Sequence, residues 1–204
     1  MSEKGRVGIL ISGRGSNMVS LVEAMQDGRI PAVPVVVISN KPDAAGLERA
    51  RALGVPVAVV DQKQVRPRSV HETRVVELLN DYKVDLVCLA GYMRLLKKTF
   101  IQAFRGRIVN IHPSLLPSFP GLDAQGQALA YGVKTAGCTV HFVDEKCDHG
   151  PIIRQAAVPV LPGDTEDDLS ARILKQEHRI YPEAVALFFN PGLRVEGRAV
   201  HTLD

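Results

Sequence analysis

Apolar and polar positions along the first half of the chain alternate between two periods. Val7-Gly8-Ile9-Leu10-Ile11 is a short apolar run cut by Ser12-Gly13-Arg14-Gly15. It predicts a buried strand leaving into a glycine turn. Met18, Leu21, Val22 and Met25 then recur at i, i+3, i+4 and i+7. That is one face of a helix, with Ser16 or Asn17 as its cap and Gly28 at its end. Val33 to Ile38 predicts a second strand, closed by Ser39-Asn40-Lys41-Pro42-Asp43, and Ala44 to Leu53 a helix with Gly54 as C-cap. A third strand is expected at Val57 to Val60. Val75, Leu78, Leu79 and Tyr82 repeat the helical spacing, Leu86 to Leu89 is a fourth strand turned by Gly91, and Ile108 to Ile111 a fifth. Short strands apolar on both faces, alternating with amphipathic helices, are the pattern of a parallel sheet covered on both sides. Residues 1 to about 112 therefore predict a doubly wound, Rossmann-like α/β unit.

After His112 the rhythm changes. Pro113, Pro117, Pro120 and Gly121 make a stiff loop, and a short helix is expected over about Ala124 to Tyr131. Gly137 to Val143 and Ile152 to Val158 are strands with no room for a crossover helix, so they should pair as an antiparallel hairpin across Asp144 to Pro151. Thr165-Glu166-Asp167-Asp168 resembles a capping box with Asp in place of Glu. It opens a long helix with Leu169, Ile173, Ile180, Ala184 and Phe188 on one stripe, which Pro182 should bend. Val195 and Val200 flank Gly197 as a terminal hairpin. The expected fold class is α/β: a doubly wound, mostly parallel sheet flanked by helices, with a C-terminal antiparallel hairpin and long helix, forming one domain over residues 1–204.

Composition narrows the partners. With 46% apolar and 23% charged residues the chain has ordinary globular usage. No apolar run approaches the ~20 residues of a membrane span, and Met1-Ser2-Glu3-Lys4-Gly5 carries no secretory pattern. Lys and Arg total 25 against 22 Asp and Glu, a net charge of +3, and no basic run exceeds Lys97-Lys98. That surplus is too dispersed for a nucleic-acid surface and allows only a weak preference for anionic ligands. Three cysteines, Cys88, Cys138 and Cys147, are not a disulfide framework and point to a reducing, cytoplasmic setting. Cys138, His141, Cys147 and His149 lie close in sequence, but there is no C-x-x-C knuckle and the C-x-x-H step falls inside a strand. No metal site is expected.

Ligands of open parallel sheets bind outside the carboxyl ends of the strands, and three loops leave such ends. Ser12-Gly13-Arg14-Gly15-Ser16-Asn17-Met18 begins like G-x-G-x-x-G, but Met18 takes the third glycine position and no G-K-[ST] follows. The loop suits a single phosphomonoester on the Gly15, Ser16 and Asn17 amides, or is a plain strand-to-helix turn. Ala90-Gly91-Tyr92-Met93-Arg94-Leu95-Leu96 can wall a flat aromatic ligand, or is a buried apolar turn. Asn110 and His112, two residues apart, project from one face of the fifth strand, opposite to Val109 and Ile111. A polar pair in an apolar strand is costly unless bonded or used, and Pro113 restricts His112 to extended forms. The Asp of the acidic loop Asp144-Glu145-Lys146-Cys147-Asp148-His149-Gly150-Pro151 are turn formers in most such loops, or one carboxylate reaches across the sheet end to His112 and raises its pKa. Glu177 lies on the apolar stripe of the last helix, either inward and partnered or at an edge reaching water.

These residues carry a resemblance. Ile11-Ser12-Gly13-Arg14-Gly15-Ser16-Asn17, Ser39-Asn40-Lys41, Gly46-Leu47-Glu48-Arg49-Ala50, Leu89-Ala90-Gly91-Tyr92-Met93-Arg94, Asn110-Ile111-His112-Pro113-Ser114-Leu115-Leu116-Pro117, Val140-His141-Phe142-Val143-Asp144 and Gln176-Glu177-His178 run nearly end to end. Together the chain resembles the folate-dependent phosphoribosylglycinamide formyltransferases of purine biosynthesis. The resemblance implies formyl transfer from 10-formyltetrahydrofolate to the glycyl amine of phosphoribosylglycinamide, with no metal. It implies Asn110, His112 and Asp148 as the catalytic trio, Gly15, Ser16 and Asn17 on the substrate phosphate, and Glu177 at the ribonucleotide. Arg68, Met93, Arg94, Leu95, Leu96, Asn110, Asp144 and Asp148 would form the folate site. Residues 1–112 would then be the nucleotide-phosphate half and 113–204 the folate and catalytic-loop half of a monomer or homodimer. Two departures stand out: His149, where a small residue is expected, and the loose match at Asp123-Ala124-Gln125-Gly126.

Three other readings share these residues. A formyltransferase acting on initiator methionyl-tRNA carries the same trio, normally with an added nucleic-acid domain. A formyl-folate hydrolase normally has an N-terminal regulatory domain. A non-catalytic nucleotide-binding regulator would have no use for the trio.

Overall fold

Strand β1 (Gly5–Ile11) pairs in parallel with β2 (Ala32–Ser39) on one side and with β4 (Leu86–Leu89) on the other, and β2 pairs in parallel with β3 (Val57–Val59). The order β3-β2-β1-β4 means that the winding reverses between β1 and β4. In such sheets the crevice at the reversal point is where ligands bind. The computed structural model describes residues 4–202, so the reading of the first residues, Met1–Glu3, as free of a leader lies outside it. Two compact units divide the chain, Met1–Val109 and Asn110–Asp204.

Helices α1 (Ser16–Gln26), α2 (Gly46–Ala52), α3 (Arg68–Asp81) and α4 (Lys98–Ala103) complete the first unit. The expected stripe of α1 is in place: Met18, Leu21, Val22 and Met25 are all buried. Each such side chain contributes roughly 1.5–3 kcal/mol by leaving water. The strands supply the other face of this core, with Val7, Ile9, Leu10, Ile11, Val36 and Val37 fully enclosed. Helix α4 escaped the periodicity reading because its six residues bury only Phe100 and Ile101, too few to establish a period.

β5 (Ile108–His112) begins in the first unit and ends in the second. The second unit carries the order β5-β6-β7, with β6 (Thr135–Phe142) and β7 (Ile152–Pro159) antiparallel as expected. Their register shifts between Val140 and His141. Helix α5 spans Ala124–Tyr131, and α6 (Glu166–Phe188) packs on β6 and β7 through Leu169, Ile173, Ile180 and Ala184. The capping box at its start is complete: the Thr165 hydroxyl accepts from the Asp168 amide, and the Asp168 carboxylate accepts from the Thr165 amide. Strands β8 (Arg194–Glu196) and β9 (Ala199–His201) form the terminal hairpin with Val195 opposite Val200. The doubly wound, mostly parallel fold class with its C-terminal hairpin and long helix is therefore the observed one. Among the described residues no helix is long and apolar enough to cross a membrane.

Candidate active site

In the first unit β1 ends into Ser12, and the turn reaches its sharpest point at Gly15. Its φ of +72 is left-handed, and a Cβ there would stand 2.9 Å from the Gly46 Cα. Only glycine meets both demands without strain. Gly15 is itself the N-cap of α1 and no side chain caps that helix, which corrects the expectation of Ser16 or Asn17 in that role. The first-turn amides of α1 therefore receive no capping side chain, the arrangement that suits an anion. Asn17 is buried, and Ser16 is half-buried.

The second loop, 91–97, is pinned from below. The Ser12 hydroxyl accepts the Met93 amide at 2.8 Å, the Arg94 guanidinium donates to Gln62 Oε1 at 2.8 Å, and Glu72 Oε2 accepts the Lys97 amide at 3.1 Å. Arg68 donates its Nε–H to the other oxygen of Glu72 at 2.9 Å. Tyr92 is half-buried, and desolvation pushes its phenol up to about 12. Met93 and Leu95, by contrast, are 65% and 63% exposed. Leu96 is half-buried.

In the second unit β5 delivers Asn110 and His112. The burial along the strand marks Asn110 as its one partly exposed position. His112 is buried, with both ring nitrogens facing acceptors: Nε2 lies 2.9 Å from the Phe119 carbonyl and Nδ1 lies 3.5 Å from Asp148 Oδ2. Asp148 is 36 positions from His112 in sequence but arrives by the β6–β7 loop. That loop closes at Gly150, where a Cβ would lie 1.9 Å from the Phe142 carbonyl oxygen, so a side chain there would force the loop open.

Both partners of His112 carry left-handed backbone, Phe119 at φ 51 and Asp148 at φ 46. For Phe119 that conformation costs roughly 1–2 kcal/mol; such outliers persist where the surroundings over-determine them. Asp148 Oδ2 also accepts the Gly121 amide at 2.8 Å. Burial works to raise the Asp148 carboxyl, but the His141 ring, the Gly121 amide and the His112 charge outweigh it and hold it well below the usual carboxylate range.

His141, given no catalytic role in the sequence reading, also reaches this cluster. Its Nδ1 faces the Phe142 carbonyl at 2.8 Å and so carries a proton. Its Nε2 lies 3.3 Å from Asn110 Nδ2 and 3.7 Å from Asp148 Oδ1. A neutral ring accepts the Asn110 amide there, whereas a protonated ring presents an N–H to Asp148. Inside Val140-His141-Phe142 it reads as a core position of a strand. Only the register shift beside it, which re-aims side chains, marks it out.

The remaining expected residues fall as follows. Glu177 is buried on α6, not at a wet edge. Burial, and then the charge of Glu177, push the Cys138 thiol up to about 12. Partial burial and the neighbouring Asp148 push Cys147 up to about 11, and its thiol donates to Asp148 Oδ2 at 3.4 Å. Neither is a nucleophile at neutral pH. His149 does not crowd Asp148. It turns outward, donating from Nδ1 to Asp144 Oδ2 at 2.8 Å, with Arg198 Nη1 3.2 Å from Nε2. Burial opposes the Asp144 charge, but His149, the Lys146 amide and Arg198 together hold that carboxyl below its ordinary value. Among the described residues no group of three or more His, Cys, Asp or Glu side chains is placed to hold a metal ion.

Comparison with known proteins puts this cluster in context. Residues 5–185 match the family model described as formyl transferase. The chain is 52% identical over 187 residues to the trifunctional purine biosynthetic protein adenosine-3 of Drosophila melanogaster, covering 91% of this chain but only 14% of that protein. It is 42% identical over 191 residues to phosphoribosylglycinamide formyltransferase of Escherichia coli K12, covering 94% of this chain and 90% of the relative. The crystal structure of glycinamide ribonucleotide transformylase 1 from Symbiobacterium toebii superposes with a TM-score of 0.98 at 55% identity, covering 100% of this chain and 96% of that one. With a family match over most of its length and relatives of this identity, the chain belongs to the formyl transferase family.

Proposed function

We propose that this protein transfers the formyl group of 10-formyltetrahydrofolate directly to the glycyl amine of phosphoribosylglycinamide, a step of purine biosynthesis. The observation that carries the reading is the second-unit cluster in which Asp148 sits beside His112 and His141, with Asn110 against His141.

The amine attacks the formyl carbon, a C–N bond forms, and negative charge develops on the former carbonyl oxygen. Preorganised donors aimed at that oxygen supply most of the acceleration in such reactions. Asn110 turns one amide N–H toward His141 and keeps a second for the oxyanion. His112 is the second donor; it delivers its Nε2–H to the oxyanion by exchanging the Phe119 carbonyl for it. Asp148 holds the opposite edge of that ring and compensates its charge. As the intermediate collapses, the C–N bond to the folate breaks. A proton leaves the attacking nitrogen and reaches the departing one, a general acid–base transfer through water. His141, able to face either Asn110 or Asp148, is placed to buffer that proton. None of these steps calls for a metal or a covalent enzyme intermediate.

For binding, Gly15, Ser16 and Asn17 take the substrate phosphate on backbone amides, and Glu177 meets the ribonucleotide. Arg68, Met93, Arg94, Leu95 and Leu96, with Asn110, Asp144 and Asp148, receive the folate. The exposed apolar side chains of Met93 and Leu95 suit a flat ring system. Residues 1–112 act as the nucleotide-phosphate half and 113–204 as the folate and catalytic-loop half of a single formyltransferase domain. Free cysteines at 88, 138 and 147 suit a cytoplasmic setting, and the reading is compatible with a monomer or a homodimer.

The test follows the ultraviolet absorbance of deformylated folate with the ribonucleotide present, omitted, or replaced by methionyl-tRNA. Turnover only with the ribonucleotide is expected. Turnover with water alone would make the protein a hydrolase, turnover with the charged tRNA would reassign the acceptor, and no turnover would leave a binding protein.

A further inference from the structure

The winding reverses between β1 and β4, and both strands leave into loops that are tied together there. The Ser12 amide donates to the Gly91 carbonyl at 3.1 Å, and the Ser12 hydroxyl accepts from the Met93 amide at 2.8 Å. The same hydroxyl donates to Asn40 Oδ1 at 2.6 Å. Asn40 Nδ2 donates to Gln62 Oε1 at 2.8 Å, and Arg94 Nη1 donates to that same oxygen at 2.8 Å. The hydrogen bonds close on themselves, from Met93 through Ser12, Asn40 and Gln62 back to Arg94, its neighbour in the chain. Ser12 and Asn40 are buried. A hydroxyl that donates once and accepts once uses its only hydrogen here. Replacing the Ser12, Asn40 or Gln62 side chain by an apolar one leaves a polar group of its neighbour unpaired.

We propose that Ser12, Asn40 and Gln62 are positioning residues for the folate co-substrate: they fix the backbone of residues 92–95 so that Met93 and Leu95 present their apolar side chains outward. The inference rests on the reading of residues 93–96 as part of the folate site. Nothing in that site requires a buried polar ring. An apolar underside would fill the same space but would leave the Met93 amide and the Arg94 side chain without fixed directions. Networks of this kind, when fully satisfied, impose one conformation. Because Ser12 also opens the glycine turn, it serves the folate loop from a position that looks, in sequence, like part of an anion site.

The experiment compares Ser12→Ala, Ser12→Thr and Gln62→Leu in the intact protein. It measures KM for formyl-folate, KM for the ribonucleotide, kcat, and hydrogen exchange of the Met93 amide. Ser12→Ala and Gln62→Leu are expected to raise the folate KM about tenfold, with kcat and the ribonucleotide KM each changed less than about threefold. Exchange at Met93 should accelerate in Ser12→Ala, while Ser12→Thr, which keeps the hydroxyl, should stay close to the unsubstituted protein. A folate KM unmoved by Ser12→Ala or Gln62→Leu overturns the inference alone. So does an equal rise in both KM values, or a Ser12→Thr variant as damaged as Ser12→Ala. If Ser12→Ala does not fold, Gln62→Leu decides by the same KM comparison. Failure of the unsubstituted protein to use formyl-folate at all removes the underlying reading and the inference with it.

Discussion

The glycine turn of the first unit and the imidazole cluster of the second prepare for charge by opposite means. At Gly15–Asn17 the proposed working groups are backbone amides, and the sequence contributes chiefly by leaving a side chain out: Gly15 is left-handed and too close to Gly46 for a Cβ. At Asn110, His112, His141 and Asp148 the proposed working groups are buried or half-buried titratable and amide side chains, held against one another. The first arrangement suits a ligand whose charge is permanent, such as a phosphate. The second suits charge that appears only during reaction, because its protons can be redistributed among neighbours. On the proposed reading, a binding site and a reaction centre differ in what holds the proton.

The comparison breaks most readily at the cluster. His112→Ala and Asp148→Asn are each expected to lower kcat by roughly a hundredfold or more, the usual cost of removing a preorganised donor or its support. Far-ultraviolet circular dichroism should stay native. Rates near normal in either variant would mean that the cluster is structural. Gly15→Ala comes next. It forces a Cβ into left-handed backbone at a cost of about 1–2 kcal/mol, read as a lower urea midpoint. If the turn binds phosphate, the ribonucleotide KM should rise far more than the folate KM; equal rises would make the turn merely a bend.

What the sequence made legible follows the same division. The 3.6-residue stripe of α1, the Thr165 capping box and the β6–β7 hairpin are written in local spacing, and all were found where expected. Asn110 and His112 stood out because polar residues interrupt an apolar strand. Gly15, Ser16 and Asn17 were marked by a glycine-rich loop that reads equally as a plain strand-to-helix turn, and the expected cap was displaced onto glycine itself. What remained hidden depends on partners distant in sequence. Ser12 meets Asn40 28 positions away, and Arg94 meets Gln62 32 positions away. His141 looks like one more core residue until β5 is laid beside β6. No pattern of period two or four encodes such pairings.

Acid stability sharpens the contrast with a smaller effect. The folded Asp148 carboxyl titrates well below its unfolded value of about 3.9, so the unfolded chain binds the proton first. Its contribution to stability is complete above that unfolded value and is lost as pH falls toward the folded one. The urea midpoint of Asp148→Asn should therefore lie below that of the unsubstituted protein at pH 7, and the gap should begin to narrow only as pH falls below about 4 and keep narrowing as it falls further. A gap that persisted unchanged into acid would mean that Asp148 stabilises by shape and not by charge.

The smallest effect separates the loop from the cluster it carries. His149 bridges Asp144 and Arg198 on the exposed side of the β6–β7 loop, whereas Asp148 faces inward to His112. Exposed ionic contacts of this kind are worth about 0.2–1 kcal/mol, a factor of about 1.4 to 5 in a binding constant. His149→Ala and Arg198→Ala should each raise the folate KM by about that factor, with kcat almost unchanged. If the two act through one bridge to Asp144, the double variant should be no worse than either single one. Additive losses would show two independent contacts. A fall in kcat comparable to that of Asp148→Asn would show that the outer bridge sets the geometry of the inner one, and the division between holding a ligand and stabilising its transition state would no longer run through this loop.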